Sequence, residues 1–269
     1  MPIVHNTNEE YHSSEGVSKS GLWEIYDKTP YHFKFGKKEH KSHFDLGEAA
    51  HIAILEPEKL ETLVTRGPAD RRGNKWKNAQ DFAAAHSTIL LTEGDHDQVL
   101  AIRDKAATVP QIRLLQGEDT MREVSAYHTD EETGVTVRCR PDIYAPRHKL
   151  IGDIKTVASA SYEAFSKSVG KFGWHVQDAV YTDVWSKGAE LDVEGFFFIA
   201  FEKSEPPMVA VFELDANAVR EGHAIYRRAL QMYKDCEDRG EWPGYSGDVQ
   251  TVSLKQWDYR ETTPTYQDE

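Results

Sequence analysis

The stretch Arg138-Cys139-Arg140-Pro141-Asp142-Ile143-Tyr144-Ala145-Pro146-Arg147-His148-Lys149-Leu150-Ile151-Gly152-Asp153-Ile154-Lys155-Thr156 decides how this chain folds. Read with a period of two, residues 135–144 place Val135, Val137, Cys139 and Ile143 on one face of a strand. Arg138, Arg140, Asp142 and Tyr144 fall on the other. Asp142 is therefore expected to point away from the core. Turn-like Ala145-Pro146-Arg147-His148 follows, and a second strand over 149–155 sets Asp153 and Lys155 two residues apart, on one face. Two carboxylates and an ammonium are thus expected to converge at one end of a hairpin.

Carboxylates brought together repel and raise each other's pKa, whereas a divalent cation between them reverses the sign of the interaction. Mg²⁺ suits such a place: it takes one or two carboxylates, keeps waters, and draws remaining ligands from a phosphate. A nearby lysine can orient or deprotonate the attacking water. The constellation points to metal-dependent phosphodiester hydrolysis. An Asp-x-Lys triplet alone is common and equally fits a solvated hairpin with a surface ion pair, so the flanking segments must decide.

Beyond the hairpin, residues 174–185 carry Gln177, Tyr181 and Trp185 on one helical stripe. Residues 195–201 are nearly all apolar, as in a strand covered on both faces, and 208–214 supply a further strand, giving a central mixed sheet. A long helix follows over 216–236. Before the hairpin, 121–129 alternates and is expected to pair with the Val135 strand across 130–134, bringing Glu123 near the site without an assigned role. Helices are predicted over 78–86, 94–108 and 46–55. In the last of these Gly47, His51 and Leu55 share a face, and Pro57 ends it. Further back, Ser18 and Ser20 open a short helix with Leu22, Trp23, Ile25 and Tyr26 as its apolar face, stopped by Pro30. Hydroxyls and amides at a helix start cap it, and they also suit a phosphate.

The chain has 269 residues and a formal charge of −13, which argues against a generic basic coat for nucleic acid but not against DNA as a substrate. Basic residues cluster locally, at Lys34, Lys37, Lys38 and Lys41, and at Arg66, Arg71, Arg72, Lys75 and Lys77. Each cluster fits either a solvated loop or a contact with the phosphate backbone. No apolar run has membrane-spanning length and the first residues lack a signal peptide's pattern, so a cytoplasmic protein away from membranes is expected. Two cysteines, Cys139 and Cys236, argue against a disulfide framework and cannot supply the four thiolates of an iron–sulfur cluster. His40-x-x-His43 lacks the companions of a zinc site, and no Walker or dinucleotide fingerprint occurs. One domain over 1–269 is the simplest organisation.

Ser18-Lys-Ser-Gly-Leu, Thr29-Pro30, Leu46-Gly-x-Ala-x-His51, Arg140-Pro-Asp142, Asp153-Ile-Lys-Thr156 and Gln177-x-x-x-Tyr181 follow one another in order. Together they resemble the RecE-type (exonuclease VIII) catalytic domains of the RecB-like branch of the PD-(D/E)xK nuclease superfamily. That resemblance implies an α/β fold, a central mixed sheet flanked by helices with a restriction-endonuclease-like core. It also implies digestion of the 5′-ended strand from duplex DNA ends, leaving 3′ overhangs for recombination by strand annealing. By it, His51, Asp142, Asp153 and the Ile154 carbonyl would hold Mg²⁺, as two ions, or Mn²⁺. Lys155 would position the water, while Gln177 and Tyr181 line the cleft. Expected DNA contacts are Ser18, Ser20, Arg140, Thr156, Arg71, Arg72 and Lys75. The implied partners are a RecT-like single-strand annealing protein and further copies of the chain in a toroidal homo-oligomer. Two other readings stay open: a structure-specific or nicking nuclease of the same branch, and a DNA-binding assembly protein that keeps the fold without cutting.

Overall fold

In the computed structural model, which describes residues 3–37, 43–115, 117–202 and 204–254, the strand Leu150–Val157 is the middle of a five-stranded sheet. Its order is Val209–Phe212, Gly195–Glu202, Leu150–Val157, Ile143–Ala145, Met121–Arg122. Gly195–Glu202 runs parallel to Leu150–Val157, with Phe198 opposite Asp153 and Ala200 opposite Lys155, and the other pairings are antiparallel. The sheet is mixed, as the sequence predicts.

Both faces are covered, and the period of two sorts the side chains between them. Ile151, Val157, Phe196 and Phe198 pack with Val176, Ala179, Val180 and Val184 of the helix Trp174–Gly188. On the opposite face Ile154, Ile199 and Phe201 meet Ile54, Ile102 and Ile112, from the helices His43–Leu55, Glu93–Ala106 and Pro110–Leu115. A parallel pair buried on two sides needs apolar residues at nearly every position, which is why 195–201 reads as one apolar run. Asp153 and Lys155 share the face of the Trp174–Gly188 helix; Ile154 faces the helix that carries His51.

One expectation is corrected here. Residues 135–144 do not form one strand. Thr136–Cys139 belongs to a separate four-stranded sheet, ordered Ile3–Val4, Ser125–Thr129, Thr136–Cys139, Val17–Ser18, whereas Ile143–Ala145 belongs to the five-stranded one. Pro141 lies at the break, having no N–H to continue a ladder. The alternation restarts after it, so Tyr144 is 2% exposed instead of facing solvent; its hydroxyl donates to the Asp192 carbonyl at 2.7 Å. Arg138 is also buried, bonded to Ser14 and the His12 carbonyl. The pairing of 121–129 with the following strand holds for Ser125–Thr129, with Tyr127 opposite Arg138, while Met121–Arg122 turns away into the other sheet.

Ser18 caps the helix Lys19–Asp27, and Thr29 caps Pro30–Phe35, so Pro30 both ends one helix and opens the next. A parallel ribbon of Val64–Arg66 and Ile89–Leu91, not anticipated from the sequence, sits over a small core of Leu46, Ala49, Val64, Leu91 and Val99. Cys139 and Cys236 are free thiols. Among the described residues no helix is long and apolar enough to cross a membrane. Lys38, His40, Lys41 and residues 255–269 lie outside the described residues.

The helix Ala216–Arg239 crosses Trp174–Gly188 closely, and Gly222 makes the crossing feasible: a Cβ there would stand 2.1 Å from the His175 carbonyl oxygen. Backbone cannot yield as a side-chain tip does. Gly222→Ala is therefore expected to cost about 1–3 kcal/mol, read as a lower urea midpoint at unchanged m-value. A midpoint equal to that of the wild type would contradict the close crossing.

Candidate active site

The antiparallel register pairs Ile143 with Gly152 and stops there. Extending it two residues would set Pro141 opposite Ile154, and a proline cannot donate to the Ile154 carbonyl. Both Ile154 backbone groups must find other partners. Asp142 Oδ2 accepts from the Ile154 N–H at 2.6 Å, and His51 Nε2 lies 3.0 Å from the Ile154 carbonyl oxygen. His51 Nδ1 is 3.6 Å from Asp142 Oδ1. The Pro-Asp pair thus frees one strand edge and supplies the carboxylate that occupies it.

Glu123 completes this group. It has a left-handed φ of 52°, a conformation costing a non-glycine residue roughly 1–2 kcal/mol, at the point where the chain passes from one sheet to the other. Ligand atoms of His51, Glu123 and Asp142 all lie within 4.8 Å of one another. Burial, and then the Asp142 carboxylate, pushes the Glu123 carboxyl up to about 7. Arg140 opposes that shift, with its Nε 3.0 Å from Glu123 Oε2 and 2.9 Å from the Glu123 carbonyl oxygen.

Asp153 stands beside this trio. Its carboxylate is 4% exposed, with Oδ2 2.5 Å from Lys155 Nζ and Oδ1 accepting from Gln177 Nε2. Lys155 Nζ in turn donates to Gln177 Oε1 at 2.9 Å. Burial pushes the Asp153 carboxyl above its ordinary value, with Lys155 pulling it back and Asp142 adding to the rise. Tyr181, one turn beyond Gln177, lines the same space, and burial holds its phenol well above the usual value. The cleft around these groups measures about 900 Å³.

An imidazole nitrogen, clustered carboxylates and a backbone carbonyl form a donor set for a hard divalent cation. The fit is supported by Glu123 itself, whose carboxyl is held up by burial and a neighbouring carboxylate, a penalty that a cation between them would reverse. The compact trio includes Glu123 in place of Asp153, whose oxygens are engaged by Lys155 and Gln177.

Of the residues singled out in the sequence, Ser20, His51, Arg140, Asp142, Asp153, Ile154, Lys155, Thr156, Gln177 and Tyr181 line one cleft. Three groups have places or partners that the sequence does not show. Ser18 is outside that lining, its hydroxyl accepting from the Gly21 N–H at 3.4 Å as a helix cap. Arg140 lines the cleft, with its Nε paired to the Glu123 carboxylate and carbonyl. Arg71, Arg72 and Lys75 are also outside the cleft lining, and Arg71 pairs with Asp95 at 2.9 Å. Two further cleft residues had no role assigned from sequence: Glu123, and Lys19, which is buried. Its signal was there: Lys19 shares a helical stripe with Leu22, Trp23 and Tyr26, where an apolar residue would be ordinary.

A family model described as a PDDEXK-like domain of unknown function (DUF3799) matches residues 31–255. Among solved structures, a putative exonuclease from Eubacterium rectale aligns with a TM-score of 0.63 at 15% identity, covering 94% of this chain and 97% of that one. This likeness is one of fold. A phage related exonuclease from Haemophilus somnus 129PT aligns with a TM-score of 0.33 at 13% identity, over 87% of this chain and 100% of that one. No curated protein matches the chain.

Proposed function

The chain belongs to the PDDEXK-like family DUF3799, and from that membership we propose that it is a divalent-metal-dependent exodeoxyribonuclease that degrades the 5′-ended strand from duplex DNA ends. The observation that carries the reading is the convergence of Asp142, Asp153 and Lys155 on one cleft, beside an Ile154 carbonyl that faces His51 instead of a neighbouring strand. The Eubacterium rectale protein of similar fold, described as a putative exonuclease, is in keeping with it. Leaving 3′ overhangs, such an activity would feed a RecT-like annealing protein.

His51, Glu123, Asp142, Asp153 and the Ile154 carbonyl are the groups that would hold Mg²⁺ or Mn²⁺. When bound, the cation supplies positive charge to the phosphate and lowers the pKa of water. The chain's own part is positional. Gln177 bridges Asp153 and Lys155, fixing the ammonium at the cleft floor, where it can orient the attacking water and stabilise charge on the phosphate. Asp142 holds the Ile154 amide, which keeps the edge of the Asp153 strand in place.

End-labelled linear duplex tests the reading. With Mg²⁺, 5′ label should be released as short products ahead of 3′ label, and excess chelator should abolish release. Label lost first from 3′ ends would overturn the polarity. The role of Glu123 has its own readout. Glu123→Gln should weaken metal binding about 10- to 100-fold, the range found when groups supporting a metal site are removed. The rise in melting temperature with added Mg²⁺ or Mn²⁺ should shrink accordingly. An unchanged metal-dependent rise would remove Glu123 from the ligand set.

A further inference from the structure

Lys19 is the first residue of the helix Lys19–Asp27 and only 8% exposed, yet it lines the cleft that holds Asp153 and Lys155. Its ammonium donates to the Phe172 carbonyl oxygen at 2.6 Å. Phe172 ends the helix Tyr162–Phe172, so that oxygen is among the carbonyls left over at a helix C-terminus, where a cation is favoured. Trp23 anchors the arrangement. Its ring lies 2.4 Å from where a Cβ on Gly173 would stand, and Gly173, with φ of 63°, joins that helix to the Gln177 helix.

An ammonium has three donors, and a neutral carbonyl uses one of them. Among the described residues no carboxylate lies within the 4.0 Å of an ion pair with Lys19, whereas Lys155 has Asp153 at 2.5 Å. Burial, then the charge of Lys155, pulls the Lys19 ammonium down to about 7, with the more distant Asp153 carboxylate pulling it partly back. A buried ammonium with no carboxylate at ion-pair distance is costly unless a ligand brings an anion to it. The ligand that fits is an anion with several acceptor oxygens.

Resting on the nuclease reading, we propose that Lys19 binds a non-bridging phosphate oxygen of the DNA strand, beside the phosphate attacked at Asp153 and Lys155. The matched family region begins at residue 31, so Lys19 stands outside it.

Lys19→Met keeps the stem's shape and removes the charge, and Lys19→Gln is the second variant should the first fail to fold. Binding is read by fluorescence anisotropy of a short 5′-phosphorylated duplex in chelator, over a series of salt concentrations, with the full chain. Loss of one charge-assisted contact should weaken binding about 10- to 100-fold. It should also lower the slope of log K against log[salt] by about 0.9, one phosphate's share. With Mg²⁺, cleavage kcat/KM should fall by a similar factor. A variant that changes the melting temperature but leaves affinity and salt slope unaltered makes Lys19 structural and overturns the proposal. If the wild type binds DNA but never cuts it, the nuclease reading fails while the chelator assay still decides Lys19. A wild type that neither binds nor cuts overturns both.

Discussion

Lys155→Ala is expected to lower DNA cleavage about 10³-fold, the upper end for removing one group that stabilises transition-state charge. The fold should survive, because Lys155 lies in the cleft and its stem is not part of the apolar core. The loss should exceed that of an ordinary cleft residue for a second reason. Asp153 is 2% exposed and already held above its ordinary pKa by burial, with Lys155 its largest counterweight. Without Lys155 the carboxyl rises further, which favours its protonated form and weakens it as a metal ligand. Lys155→Ala should therefore regain some activity as pH increases, whereas Asp153→Ala should regain none. A Lys155→Ala protein retaining more than a tenth of wild-type cleavage would remove the lysine from the chemistry. Wild-type turnover in excess chelator would do the same for the metal.

The Asp153–Lys155 geometry was legible because a period of two fixes which residues share a face, whatever the strand pairs with. Gln177 and Tyr181 were legible for the same local reason, being one helical turn apart. The switch between sheets was not. Alternation across 135–144 carries no information on partner strands, which are chosen by long-range packing, and only Pro141 hinted that the ladder must break. The sequence brought Glu123 near the site, but its role was hidden by its left-handed turn, which no residue preference announces and which the cross-over between sheets imposes. The pairing of Arg140 with Glu123 and of Arg71 with Asp95 was not legible, because those partners are distant in sequence. Charge patterning along a chain cannot reveal such pairings.

Those ion pairs sharpen the last prediction, which concerns topology. Arg66 meets Glu93 and Asp97, and Arg71 meets Asp95, so the cluster expected to grip DNA is partly neutralised within the chain. With a formal charge of −13, a single copy has little long-range attraction for a duplex, and non-specific affinity comes mainly from cations on phosphates. An exonuclease that dissociates after each nucleotide would leave no long overhang. We propose that encirclement takes the place of affinity: copies of the chain close into a ring through which a DNA end is threaded, their basic side chains concentrated toward the channel. Light scattering should then give a cyclic homo-oligomer. In the presence of a DNA trap, each encounter with a linear duplex should remove a long tract. Covalently closed circles, having no end to thread, should survive at background rates under the same conditions. A monomer of equal processivity would refute the ring, and efficient cutting of closed circles would assign the cleft to a structure-specific nuclease instead.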